Sequence, residues 1–272
     1  MALPPPADSS TALITGASAG IGAEVARELA SRGHGVTLVA RRERRLRELA
    51  DELARVHEVR AEVVVCDLAD PDARDALAAE IDTLGLEVEI LVNDAGFGGF
   101  GSFTEQGRER QLEMVRLNVE AVVDLMGRYV PLMEGRGRGA VINVASTAAF
   151  QPLPDNATYA ASKAFVLSLS EAVHLELKGR GVTLTTLCPG PVRTEFPEVA
   201  GIGAAEERTP GFVWMSPAEV AEHAVNGVEK GRRVVVPGML NQATAVAGQH
   251  SPRIFLLPLA QRIWRRAGAT RR

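Results

Sequence analysis

Four residues carry most of the chemical content of this chain: Asn118, Ser146, Tyr159 and Lys163. Tyr159 and Lys163 stand four apart, so a helix presents both on one face. A phenol beside an ammonium is expected to ionise more easily than its reference pKa of about 10 allows. Ser146, thirteen residues before Tyr159, can hold a carbonyl or hydroxyl oxygen while Tyr159 gives or takes its proton. That is general acid–base chemistry on an alcohol or a ketone, and it needs a matching hydride donor. Taken singly, Ser146 reads as a turn cap, Tyr159 as a half-buried core residue and Lys163 as a surface lysine. Their joint spacing favours chemistry. Asn118 lies between Leu117 and Val119 in an apolar helical pattern, so it needs a partner. It is either a structural hydrogen bonder or part of a proton path.

A hydride carrier with phosphates has an obvious place to sit. The apolar run Thr11 to Thr15 stops at Gly16-Ala17-Ser18-Ala19-Gly20-Ile21-Gly22, and Ile21, Val25 and Leu29 then share a helical face. Strand, glycine loop and helix start form a pyrophosphate seat, although the glycines are spaced Gly-x-x-x-Gly-x-Gly and not Gly-x-Gly-x-x-Gly. The bland alternative is a tight turn without a ligand. A second strand, Val36 to Ala40, leads straight into Arg41 and Arg42. NAD-binding units place an acidic residue near here; Ala40 and Arg41 hold the position instead, which suits a 2′-phosphate and favours NADP(H). Arg44, Arg45 and Arg47 read as a solvated helix face.

Further strands position further groups. Ala61 to Cys66 ends at Asp67-Leu68, where Asp67 either accepts from an adenine amino group or caps the next helix. Glu89 to Val92 ends in Asn93-Asp94-Ala95-Gly96, small enough for close approach of a ring or ribose. A long helical pattern follows through Leu112, Val115, Val119, Val122, Met126 and Val130. A fifth strand around Ala140 to Val144 delivers Ser146 at its C-terminal end. A sixth, Val182 to Cys188, delivers Pro189-Gly190-Pro191-Val192-Arg193-Thr194. Thr194 reaches toward a carboxamide or phosphate, or else caps a helix. Residues 195 to 215 lack a period and read as a lid carrying Phe196, Ile202, Phe212, Val213, Trp214 and Met215, apolar enough for a hydrophobic carbonyl substrate. Ser216-Pro217-Ala218-Glu219 is a capping-box helix start, and Arg233 to Val236 is a seventh short strand.

Strand and helix alternate nearly throughout. This predicts one α/β domain spanning residues 1–272: a doubly wound, mostly parallel seven-stranded sheet of the Rossmann type with helices on both faces. Helices after the second and third strands should bury Leu46, Leu49, Leu53 and Val56, and Ala73, Leu77 and Ile81. Beyond Gly238 lies an extension, 239–272, in which Ser251-Pro252 opens a segment bearing Ile254, Leu257, Ile263 and Trp264 beside Arg262, Arg265 and Arg266. That face could meet a partner subunit, an anionic membrane edge or its own domain.

Composition narrows the classes. With 272 residues and a net charge of −4, nothing suggests a nucleic-acid binder. The two cysteines, Cys66 and Cys188, lie far apart at the ends of apolar runs and read as buried thiols in a reducing, cytoplasmic setting. The five histidines show no ligand spacing, so no metal is expected. The proline-rich start does not resemble a signal peptide, and no run approaches the ~20 apolar residues of a transmembrane helix.

With these motifs in hand, the chain resembles a short-chain dehydrogenase/reductase of the single-domain kind over about Ala12 to Gly238. The resemblance implies Tyr159 as general acid/base and Lys163 as the group that lowers its pKa and holds the nicotinamide ribose. It implies Ser146 as the residue that positions the substrate oxygen, and Asn118 as the holder of a water linking the lysine to solvent. It implies cofactor contacts at Gly16, Ser18, Ala19, Gly20, Ile21 and Gly22, at Asp67 and Leu68, at Asn93, Asp94, Ala95 and Gly96, and at Pro189, Gly190, Val192 and Thr194. Arg41, with Arg42 beside it, is placed for a 2′-phosphate. Such proteins are mostly homodimers or homotetramers acting on small carbonyl or alcohol substrates. The family usually has Asn-Asn-Ala-Gly where this chain has Asn93-Asp94-Ala95-Gly96. Asp94 lacks the NH₂ donor and is expected to perturb a local backbone contact and not the chemistry. The competing function is a non-catalytic NADP(H)-binding sensor or scaffold; a Tyr159–Lys163 pair has no use there.

Overall fold

The computed structural model describes residues 3–196 and 211–251, together with 254 and 258. Seven strands form one sheet in the order β3-β2-β1-β4-β5-β6-β7, and every pairing is parallel. The strands are β1 (Ser10–Thr15), β2 (Val36–Ala40), β3 (Ala61–Val65), β4 (Glu87–Asn93), β5 (Gly139–Val144), β6 (Val182–Leu187) and β7 (Val234–Val235). Parallel strands covered on both faces must be apolar throughout, and β1 and β5 are buried at every position. The chain order reverses between β1 and β4, so their C-terminal ends flank a crevice into which ligands of such sheets bind.

Helices α1 (Gly20–Ser31), α2 (Glu43–His57) and α7 (Pro217–Glu229) cover one face. Helices α3 (Pro71–Thr83), α5 (Ala121–Arg136) and α6 (Ala157–Glu176) cover the other. Core residues divide accordingly: Ile14, Leu29, Leu38 and Val225 on the first side, Leu13, Leu77, Leu91 and Leu125 on the second. Alternate residues of β1 thus face opposite layers, as the pleat requires.

Local signals explain the boundaries. Ser216 starts α7 with the expected capping box, its hydroxyl accepting from the Glu219 amide while the Glu219 carboxylate accepts from the Ser216 amide. Asp70, not Asp67, caps α3, accepting from the Asp72 amide at 3.0 Å. Two packing expectations fail. Val56 lies in the last turn of α2 and is 53% exposed. The long helical pattern is broken: α4 (Arg108–Val115) passes through a π-turn at Arg116–Glu120 before α5 begins. The extra residue shifts the register, leaving Val115 41% exposed and turning Asn118 fully inward.

A helix not expected from the sequence, α8 (Met239–His250), follows β7. It packs through Ala245 and Asn241, and a Cβ at Gly190 would stand 2.3 Å from Asn241 Oδ1. The expected segment carrying Leu257, Ile263 and Trp264 lies outside the described residues, as do Ile202 and the Phe212 side chain in the expected lid. Among the described residues no helix is long and apolar enough to cross a membrane. Cys66 and Cys188 are buried and unpaired with each other.

Candidate active site

Six strands deliver the candidate residues to one edge of the sheet. A crevice of about 710 Å³ runs along that edge. It is lined at one end by Ser18, Arg41, Arg42 and Asp67, and at the other by Ser146, Tyr159, Lys163, Phe196 and Trp214. Gly16, Ala19, Gly20, Ile21, Leu68, Asp94, Ala95, Gly96, Pro189, Gly190, Val192 and Thr194 line it between them. Of the expected site residues, Gly22, Asn93 and Asn118 stand behind this lining. Gly22 is buried in the first turn of α1. Asn93 donates to Asn143 Oδ1 at 2.8 Å, joining the ends of β4 and β5.

The glycine loop adopts its path for steric reasons. Gly16 has φ of +71°, and a Cβ there would meet the Ala95 amide at 2.9 Å. Thr15 ties the loop to β4, its hydroxyl donating to the Val92 carbonyl (3.1 Å) and accepting from the Asp94 and Ala95 amides (3.0 and 3.1 Å). Helix α1 then begins with no side-chain cap and no acidic residue in its first turn. Its orphan N–H groups and the positive end of its dipole are left for an anion, which fits a pyrophosphate.

Arg41 and Arg42 are both solvent-facing but differ in partners. Arg41 stands 3.8 Å from Asp67 and 3.7 Å from Glu113. Arg42 donates to Ser18 Oγ at 3.1 Å and to Glu195 at 2.6 Å. Asp67 accepts from the Ala69 amide at 3.1 Å and so shapes its own turn.

At the other end, α6 presents Tyr159 and Lys163 on one face, both buried. Lys163 Nζ donates to the Val144 carbonyl at 2.7 Å and lies 5.9 Å from the Tyr159 ring centroid. Ser146 opens a short 3₁₀ turn, Thr147–Phe150, its hydroxyl accepting from the Ala148 amide at 3.1 Å, and it shares the crevice lining with Tyr159. Asn118 accepts from the Phe97 amide at 3.2 Å and donates to the Phe97 carbonyl (3.0 Å) and to Ser162 Oγ (3.1 Å). It does not bond Lys163 directly. The space between them is the space a Cβ at Gly96 would fill, 3.0 Å from Asn118 Oδ1 and 3.5 Å from Lys163 Nζ.

The expected lowering of the Tyr159 pKa is not what the protein does by itself. Burial pushes the phenol up to about 12, against a downward pull from the Ser146 hydroxyl. Burial also brings Lys163 down to about 8, offset in part by the charge of Asp94. The ammonium sits by the ring and on the Val144 carbonyl. Asp94 is closer to the chemistry than a backbone perturbation implies. Its carboxyl is wedged between Gly16 and Gly22, with Oδ2 at 2.7 Å from where a Gly22 Cβ would be. Burial raises it to about 6, against the Lys163 charge and the Gly22 amide.

Sequence reasoning missed several lining residues: Phe97, Leu117, Ala148 and Leu153, with Gln151, Asn156 and Thr244 as polar members. Phe97, Ala148 and Tyr159 form a small apolar cluster against which Leu153 and Phe196 pack. Met215, expected in the lid, is tied to the loop after β6: its amide donates to the Pro191 carbonyl and its carbonyl accepts from the Arg193 amide.

A doubly wound sheet with an anion-ready glycine loop along a crevice and a Ser–Tyr–Lys group at one end, its Tyr and Lys buried, defines a nucleotide-dependent oxidoreductase. The pattern of the short chain dehydrogenase family matches residues 10–201, and the chain belongs to that family. A 7β-hydroxysteroid dehydrogenase of Mediterraneibacter gnavus is 33% identical over 67% of this chain and 68% of its own. Among solved structures, a short-chain dehydrogenase from Sphingobium yanoikuyae in complex with NADPH is 33% identical. It superposes with a TM-score of 0.78 over 92% of this chain and 95% of its own. L-sorbose reductase from Gluconobacter frateurii, complexed with NADPH and L-sorbose, is 31% identical with a TM-score of 0.74, covering 87% and 98%.

Proposed function

We propose that this chain is an NADP(H)-dependent carbonyl reductase or alcohol dehydrogenase in which Tyr159 is the general acid/base. The observation that carries this reading is the Tyr159 phenol, buried beside Lys163 and lining with Ser146 the end of a crevice opposite two arginines. Arg41, Arg42 and Ser18 would hold the 2′-phosphate; the amides of Ala19 to Gly22 the pyrophosphate; Asn93 to Gly96 and Pro189 to Thr194 the ribose and nicotinamide. When bound, the nicotinamide supplies or accepts the hydride. The NADPH complexes of two relatives support the preference.

In the reducing direction Ser146 holds the substrate oxygen and Tyr159 donates its proton as the carbonyl carbon is reduced. A phenol held protonated by burial suits that role, because an alkoxide is far more basic than a phenolate and the transfer runs downhill. Lys163 replaces the lost proton, and Asn118, buried behind Gly96 near Lys163, would hold the water that returns it.

Phe97, Leu153, Phe196 and Trp214 make the substrate end largely apolar, which favours a hydrophobic carbonyl compound. Proteins named for a steroid and for a sugar share this fold, so the lining is the better guide. We further read the chain as a cytoplasmic homodimer or homotetramer; light scattering of purified protein checks the latter.

Two variants test the reading. Tyr159→Phe should lower kcat for an apolar ketone by about 10²–10⁴-fold while NADPH still binds; retained turnover removes Tyr159 from its role. Arg41→Ala should weaken NADPH more than NADH. Equal loss, or none, refutes the 2′-phosphate seat at Arg41.

A further inference from the structure

We propose that Glu195 is a built-in competitor for the cofactor's 2′-phosphate and thereby sets how strongly the protein prefers NADPH to NADH. The inference rests on the NADP(H) reading above. Glu195 follows β6 by eight residues, yet its carboxylate has crossed the crevice mouth to the start of α2. One oxygen accepts from Arg42 at 2.6 Å and the other from Arg45 at 2.6 Å. Arg42 Nε donates in turn to Ser18 Oγ at 3.1 Å. Two guanidiniums thus converge on one anion, with a hydroxyl bracing the first of them, and that anion is a side chain of the protein itself.

A phosphate monoester asks for the same partners. It carries more charge and one more oxygen than a carboxylate, so it wins the seat, but only after two charge-assisted hydrogen bonds are broken. NADH ends in a hydroxyl at this place and leaves Glu195 where it is. Glu195 therefore costs NADPH affinity and spares NADH. All three charged side chains are two-fifths to one-half exposed, so the contact is screened by salt and is modest in strength, as a displaceable contact must be.

The residue after Glu195 is Phe196, whose ring centroid lies 5.5 Å from that of Tyr159. Thr194, the residue before, accepts from the Phe196 amide at 3.1 Å, and its methyl stands 3.2 Å from where a Cβ at Gly20 would be. The Glu195 contacts therefore sit one residue from the ring that packs beside Tyr159.

The test is equilibrium binding of NADPH and NADH to full-length wild type, Glu195→Gln, Glu195→Ala and Arg42→Ala, at low and high salt. Both Glu195 variants should bind NADPH about three- to tenfold more tightly at low salt, as expected for two exposed ion pairs, with NADH changed less than about twofold. The gain should shrink at high salt. Arg42→Ala should weaken NADPH. If wild type prefers NADPH and Arg42→Ala weakens it, but neither Glu195 variant tightens it, the competitor role is overturned and the cofactor reading stands. If wild type shows no preference and Arg42→Ala changes nothing, both fall. Glu195 lies at the surface, so matching melting temperatures should accompany the variants. A variant that melts well below wild type and binds NADPH less tightly overturns the proposal in favour of a structural role.

Discussion

Replacing Asp94 by asparagine should stabilise the folded protein at neutral pH, and the gain should vanish in acid. Asp94 sits at the end of β4 with its carboxyl between Gly16 and Gly22, and burial raises its pKa from 3.8 to about 6. A carboxyl whose folded pKa lies above its unfolded one contributes stability that is fully present below about pH 4. That contribution is lost as the pH rises through about 6. A shift of about two units corresponds to roughly 3 kcal/mol if the site were dry. Asp94 keeps partial exposure along the crevice, so water lowers the figure, and about 1–2 kcal/mol is the reasonable expectation. For a chain of this size that is a Tm rise of roughly 2–8 °C. Asparagine preserves the shape and the backbone bond to Thr15, since that bond is made by the main-chain amide of residue 94. Denaturant unfolding at steps from pH 4.5 to 7.5 should show wild type and variant converging at the acid end and separating by pH 6.5. The function should move the other way. Ionised Asp94 supports the Lys163 ammonium, whose pKa burial has already brought to about 8. Without it, the alkaline loss of activity should begin at lower pH. A variant less stable than wild type at pH 7.5, or one with an unchanged gap from pH 4.5 to 7.5, would refute the claim that Asp94 is a strained buried charge.

Other outcomes follow from single contacts. Asn118→Ala should cost about 2–3 kcal/mol in denaturant unfolding, since it orphans both main-chain groups of Phe97 in the core, while the Ser162 hydroxyl keeps the Tyr159 carbonyl; a neutral result would refute the structural weight given to those two bonds. Ser216→Ala should cost about 1 kcal/mol by removing the α7 cap, with kcat unchanged, and thermal melting with steady-state kinetics checks both halves.

The chemistry of the site was legible because it depends on local spacing. Tyr159 and Lys163 meet through helical geometry alone, and the Gly16–Gly22 loop turns where it does because a Cβ at Gly16 or Gly22 would strike backbone. Capping works over three residues, so Ser216 to Glu219 announced itself. The alternation of strand and helix implied the sheet, and the crossover rules its parallel sense. Single-residue register shifts were not legible. The π-turn at Arg116–Glu120 changes which residues face inward without changing composition, so Val115 looked buried and is not. Helix α8 has mixed polarity and begins after a glycine, with few signals to declare it.

What the sequence determined by itself was the set of groups and their order along the chain, because each motif is held by hydrogen bonds and sterics within a few residues. What only the tertiary structure decided was the electrical state of those groups and their distant neighbours. Burial, a property of the whole fold, set Tyr159 up to about 12 and Lys163 down to about 8, the reverse of what adjacency alone implied. Glu195 met Arg42 across about 150 residues of chain because β6 and β2 end on the same edge of one sheet.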